Sequence, residues 1–93
     1  MREVTLERRL SLAVKGAGGY CIKLPAIWYI GIPDRMLLLY GRVIFVELKT
    51  DKGRTSPAQK NWESRLTKLR LTYYIIHGLD QLERFLDENV RIP

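Results

Sequence analysis

Cysteine and histidine are almost missing from this 93-residue chain: Cys21 is the one cysteine and His77 the one histidine. That excludes an internal disulfide, a Cys₂His₂ zinc site and any catalytic scheme built on two histidines. No apolar run approaches the ~18 residues that a transmembrane helix needs. The opening MREVTLERR lacks the apolar core of a signal peptide, so a soluble, intracellular protein without a membrane partner is expected. Acidic residues are also in short supply, ten against sixteen Lys and Arg, leaving a net charge of +6 and a pI near 9.8. So basic a chain points to a polyanionic partner, nucleic acid first and a membrane surface second.

What is present is ordinary globular material. Hydrophobic residues make up 46%, enough to exclude a disordered chain, and the length suits one domain with a modest core. Residues 3–15 place Leu6, Leu10, Ala13 and Val14 at helical spacing, and Gly16, Gly18 and Gly19 stop that helix. Residues 20–24 read as a short strand ended by Pro25, followed by the aromatic loop PAIWYIGIP. Two further strands are expected over 34–40 and 43–49, with Gly41-Arg42 between them as a type II′ turn. Ser56-Pro57-Ala58-Gln59 combines an N-cap serine, a proline at the first helical position and a glutamine at the third. The helix it starts should run to about residue 69, with Ala58, Trp62, Leu66 and Leu69 on its apolar side. A strand over 72–77 and a helix over 79–89 complete the chain. The order of helix, three strands, helix, strand and helix predicts an α/β fold, a mixed four-stranded sheet flanked by helices.

The chemistry gathers in the hairpin. With the turn at Gly41-Arg42, Met36 faces Glu47 and Asp34 faces Lys49. Strand alternation then puts Asp34, Met36, Leu38 and Tyr40 on one face with Val43, Phe45, Glu47 and Lys49. Asp34 would lie diagonal to Glu47, roughly 7–8 Å away at the backbone. Two carboxylates converging beside an ammonium suit a hard cation such as Mg²⁺ or Mn²⁺ that also holds a phosphate oxygen. A plain cross-strand salt bridge between Asp34 and Lys49, with Glu47 solvated, is the alternative.

GIPDR, an apolar hairpin, VELK and then SPxQxxW, in that order and spacing, resemble the PD-(D/E)xK nuclease superfamily. Within it the match is to the VRR-NUC (viral replication and repair nuclease) domain, in the short stand-alone form of phages and bacteria. The resemblance runs along almost the whole chain, beginning with ERRLSLAVKGAGGYCIKL. It implies a restriction-endonuclease-like αβββαβα core, in the cytoplasm of a bacterial cell or phage-infected host. It further implies that Asp34 and Glu47 ligate Mg²⁺ or Mn²⁺, that the Leu48 carbonyl adds a ligand and that Lys49 is the catalytic lysine. Glu7 of the first helix would complete the acidic cluster, directly or through water, and Gln59 would reach the active site. The implied substrate is DNA, including branched forms such as four-way (Holliday) junctions, cut by a homodimer.

Other readings rest on residues alone. Glu7 at the edge of a buried stripe can equally be a solvated charge, and Gln59 can serve only its capping box. Lys52, Arg54 and Lys60, with Arg2, Arg8, Arg9 and Lys15 on the first helix, are candidates for phosphate contacts or for a solvated face. Trp28 and Tyr29 suit a subunit interface or base stacking. Arg35 should project to the face opposite Asp34, Trp62 should be core, and Tyr73 and Tyr74 should point to opposite faces.

Overall fold

The computed structural model describes residues 2–27 and 29–92, so the expectation for Trp28 lies outside the described residues. The elements follow the expected order: α1 (Glu3–Gly16), β1 (Tyr20–Lys23), β2 (Arg35–Leu39), β3 (Arg42–Lys49), α2 (Pro57–Lys68), β4 (Thr72–His77) and α3 (Gly78–Asn89). They form one mixed sheet in the order β1-β2-β3-β4. The β1–β2 and β2–β3 pairs are antiparallel, while β3 and β4 are parallel. A parallel pair needs a crossover rather than a hairpin, and α2 is that crossover.

Alternation along the strands decides what each face does. Leu37 and Leu39 of β2, Ile44, Val46 and Leu48 of β3, and Ile76 of β4 are buried on one face. They pack against Leu6, Leu10 and Val14 of α1 and Leu82, Phe85 and Leu86 of α3. Burying each of these large side chains is worth about 1.5–3 kcal/mol. Tyr74 joins this core edge-to-face with Phe85, ring centroids 4.9 Å apart. The opposite face carries Met36, Leu38, Phe45, Glu47 and Lys49, and α2 lies over it at the β3–β4 side.

Two expectations need correction. The hairpin turn is Tyr40-Gly41, one residue earlier than the spacing suggested, because Leu39 pairs with Arg42. Both turn residues have positive φ, 51° and 70°, as a type I′ connection requires. A tyrosine rarely adopts that conformation, but here its hydroxyl donates to the Val90 carbonyl at 2.6 Å and Arg42 reaches Asn89. The end of α3 thus hooks the hairpin tip and sets the register. Pairing slides by two residues, an even number, so every side chain keeps its expected face.

Trp62 is the second correction. It is half-buried outside the main core, where it meets Tyr29 edge-to-face at 5.4 Å, donates Nε1–H to the Ile30 carbonyl at 3.1 Å and lies under the Arg65 guanidinium. Leu66 is the buried apolar residue of α2, and Leu69 is exposed. α2 therefore carries little of the core. Its sheet-facing side belongs to the polar group described next.

Candidate active site

With the ladder as observed, Arg35 pairs with Val46, so one further step brings Asp34 directly across from Glu47, not diagonal to it. Asp34 sits where β2 begins, behind the buried Pro33. Its Oδ2 accepts the Leu48 N–H at 3.1 Å, and its carbonyl accepts the Leu24 N–H at 2.9 Å. Lys49 does not reach Asp34 as the cross-strand expectation had it. It points along its own strand, with Nζ 3.5 Å from Glu47 Oε2.

Glu47 is 1% exposed, a carboxylate almost wholly withdrawn from water. Its Oε2 accepts the Gln59 amide at 2.8 Å beside the lysine. Its Oε1 is buried with no hydrogen-bond partner. Burial pushes the carboxyl up to about 7, the neighbouring Asp34 adds to the rise, and Lys49 opposes it. A buried anionic oxygen without a donor is costly. Glu3, Asp34 and Glu47 each offer an oxygen within 4.8 Å of the others. Hard oxygen donors around an unpartnered carboxylate oxygen fit a divalent cation.

Gln59 serves two structures at once. Its backbone N–H donates to Ser56 Oγ at 3.2 Å, and its Oε1 accepts the Ser56 N–H at 2.9 Å. That closes the capping box of α2, and the remaining amide donor goes to Glu47. The two readings of Gln59 are compatible.

Glu7 stands apart from this group. Its carboxylate pairs with the Arg35 guanidinium at 3.2 Å on the α1 side of the sheet. The helical carboxylate that joins Asp34 and Glu47 is Glu3, which sequence reasoning missed. Glu3 precedes Glu7 by one helical turn and shares its side of α1, and that spacing is the signal that could have found it. Tyr73 also went unassigned. Its hydroxyl is buried without a partner on the α2 face, and burial pushes its phenol up, with Glu47, Glu63 and Asp34 adding to the rise.

Among the nominated basic residues, Lys52, Arg54, Lys60 and Arg8 are exposed. Lys52 and Arg54 lie in the loop after β3, and Lys60 follows Gln59 in α2. Arg9 is engaged with Glu83 at 2.7 Å. Tyr29 is 57% exposed between Ile27 and Ile30, which are more exposed still. His77 ends β4 with Nδ1 3.3 Å from the Thr50 carbonyl.

No family model matches the chain. It is 34% identical over 81 residues to "Putative nuclease p44" of Acyrthosiphon pisum secondary endosymbiont phage 1, covering 86% of this chain and 87% of that protein. A solved structure titled "VRR_NUC domain" superposes with a TM-score of 0.84 over 94% of this chain and 96% of its own, at 21% identity, and so shares the fold. The chain belongs to the VRR-NUC family of nuclease domains.

Proposed function

We propose that this protein is a divalent-metal-dependent DNA endonuclease of the PD-(D/E)xK type, with its active centre at Asp34, Glu47 and Lys49. The observation that carries the reading is the buried, unpartnered Oε1 of Glu47, flanked by the carboxylates of Asp34 and Glu3. Mg²⁺ or Mn²⁺ would be held by Asp34 and Glu47, with Glu3 and the Leu48 carbonyl as further oxygen donors. Bound there, the cation supplies a Lewis acid that lowers the pKa of a coordinated water and offsets charge on the phosphate.

The chain's own groups do the rest. Gln59 and Lys49 engage Glu47 Oε2, so Oε1 would be the oxygen available to a cation. The Lys49 ammonium orients the attacking water and stabilises the pentacovalent phosphate. Lys52, Arg54, Lys60 and Arg8 neutralise backbone phosphates on either side of the cut. The substrate is DNA, and branched DNA such as a four-way junction suits a homodimer carrying two such sites. The apolar residues Ile27, Tyr29 and Ile30 are the contact surface offered for that dimer. The protein then acts on DNA in the cytoplasm of a bacterial cell or phage-infected host.

The test is cleavage of labelled four-way junction, splayed and linear duplex DNA in Mg²⁺, Mn²⁺ or EDTA, with wild type beside Glu47→Gln. Metal-dependent cutting that disappears in the variant is expected, with the junction cut fastest. Tight binding without cutting in either metal would turn the protein into a DNA-binding module on a nuclease fold. Light scattering on wild type and Tyr29→Ser checks the dimer, which the variant should weaken.

A further inference from the structure

Arg35 has no part in the function proposed above, yet it and Glu47 are the charged side chains buried among the described residues. Arg35 lies on the core face of β2, in line with Leu37 and Leu39, and is 8% exposed. Burying a guanidinium is costly unless its donors are well used. Here Nη1 donates to the Asp34 carbonyl at 3.1 Å and Nη2 meets Glu7 Oε2 at 3.2 Å. One planar fork thus holds the backbone of a site carboxylate on β2 and a side chain of α1.

The first turn of α1 has few other anchors. Its N-cap residue Arg2 makes no side-chain cap, and Glu3, Val4 and Thr5 are exposed. Leu6 is the first buried residue. Uncapped helix ends fray, and Glu3 stands on this one. The ion pair at Glu7, one turn further in, fixes the stretch of helix that presents Glu3 to Asp34 and Glu47.

We propose that Arg35 is a positioning residue for the cation site. It holds Asp34 through its carbonyl and, through Glu7, brings Glu3 of α1 to the carboxylate cluster. Glu7 then acts on Arg35 and is not itself a ligand. This inference rests on the cation-site reading above, and its test separates the two.

Mn²⁺ binding to the DNA-free protein is measured by calorimetry, with thermal unfolding in EDTA alongside. Wild-type binding that is lost in Glu47→Gln upholds the site; no Glu47-dependent binding overturns the site and this inference together. Given such binding, Arg35→Lys keeps the charge but loses the fork. It should unfold cooperatively yet bind Mn²⁺ about tenfold more weakly, as loss of support behind a metal ligand does. Glu7→Gln keeps an oxygen for the guanidinium and should bind as wild type, whereas Glu7→Leu should match Arg35→Lys. Glu3→Gln and Arg35→Lys combined should cost less than the product of the two single changes, since part of the Arg35 effect runs through Glu3. The inference is overturned, with the site intact, by unchanged affinity in folded Arg35→Lys and Glu7→Leu. It is equally overturned if Glu7→Gln is as weak as Glu7→Leu, or if the Glu3 and Arg35 effects multiply. Should Arg35→Lys fail to fold, the Glu7 pair carries the test.

Discussion

Glu47 shows what a single side chain can reveal. Its carboxyl titrates near 7 in the folded chain against 4.5 when unperturbed, so the folded state holds the proton more tightly than the unfolded state. The stability this gives is fully present below the unfolded value and is lost as pH rises through the folded one. In EDTA, wild type should therefore lose stability between about pH 5 and about pH 8 relative to Glu47→Gln, whose amide does not titrate. Thermal unfolding of both proteins across that range checks the slope. Saturating Mg²⁺ should flatten it, because a cation on Oε1 stabilises the charged form. The sequence already placed Asp34, Glu47 and Lys49 on one face, since strand alternation survives any even slip in register. It did not reveal that Lys49 serves Glu47 rather than Asp34, nor that Glu3 and not Glu7 approaches the cluster. The second depends on where Arg35, on the strand next to the sheet edge, finds its counter-charge, which is a tertiary fact.

Among the elements, α2 was the most legible. Ser56, Pro57 and Gln59 state its start within four residues, and the capping box forms as written. Ser56→Ala should cost about 1 kcal/mol in urea denaturation. The β2–β3 turn was the least legible, because Tyr40 in a left-handed conformation has no local signal and owes its place to Val90, fifty residues away. Gly78 is a third case. It has φ +75°, and a Cβ there would come within 1.6 Å of Asp51 Oδ1. Gly78→Ala should therefore destabilise by more than ~1 kcal/mol, because alanine is strained at that φ and the exposed Asp51 carboxylate must swing aside. Urea denaturation reads the effect.

For the molecule as a whole, charge is distributed with a purpose that composition could not show. Part of the positive excess is spent internally: Arg9 and Arg91 on Glu83, Arg35 on Glu7. Lys52, Arg54 and Lys60 are exposed, in the loop after β3 and near the start of α2. Each that contacts a phosphate should steepen the salt dependence of DNA binding, so Lys52→Ala should reduce the log–log slope by about 1. Affinity titrations at several salt concentrations measure this, and Arg9→Ala should leave the slope nearly unchanged. The layered αβββαβα order was readable because helix and strand periodicities alternate cleanly along the chain. The uneven load on the two sheet faces was not, since α2 carries apolar residues at helical spacing yet sets Trp62 against a loop and leaves Leu69 exposed.

The double duty of Gln59 also limits how the protein can be improved. A glutamate at the third helical position closes a capping box as well as a glutamine does, so a helix-stabilising redesign would accept either. Here the glutamate would keep the cap, lose the N–H donor and set a second anion against Glu47. Stiffening this helix and preserving the chemistry beneath it are not independent choices. Directed evolution for heat resistance should leave position 59 untouched and find its gains elsewhere.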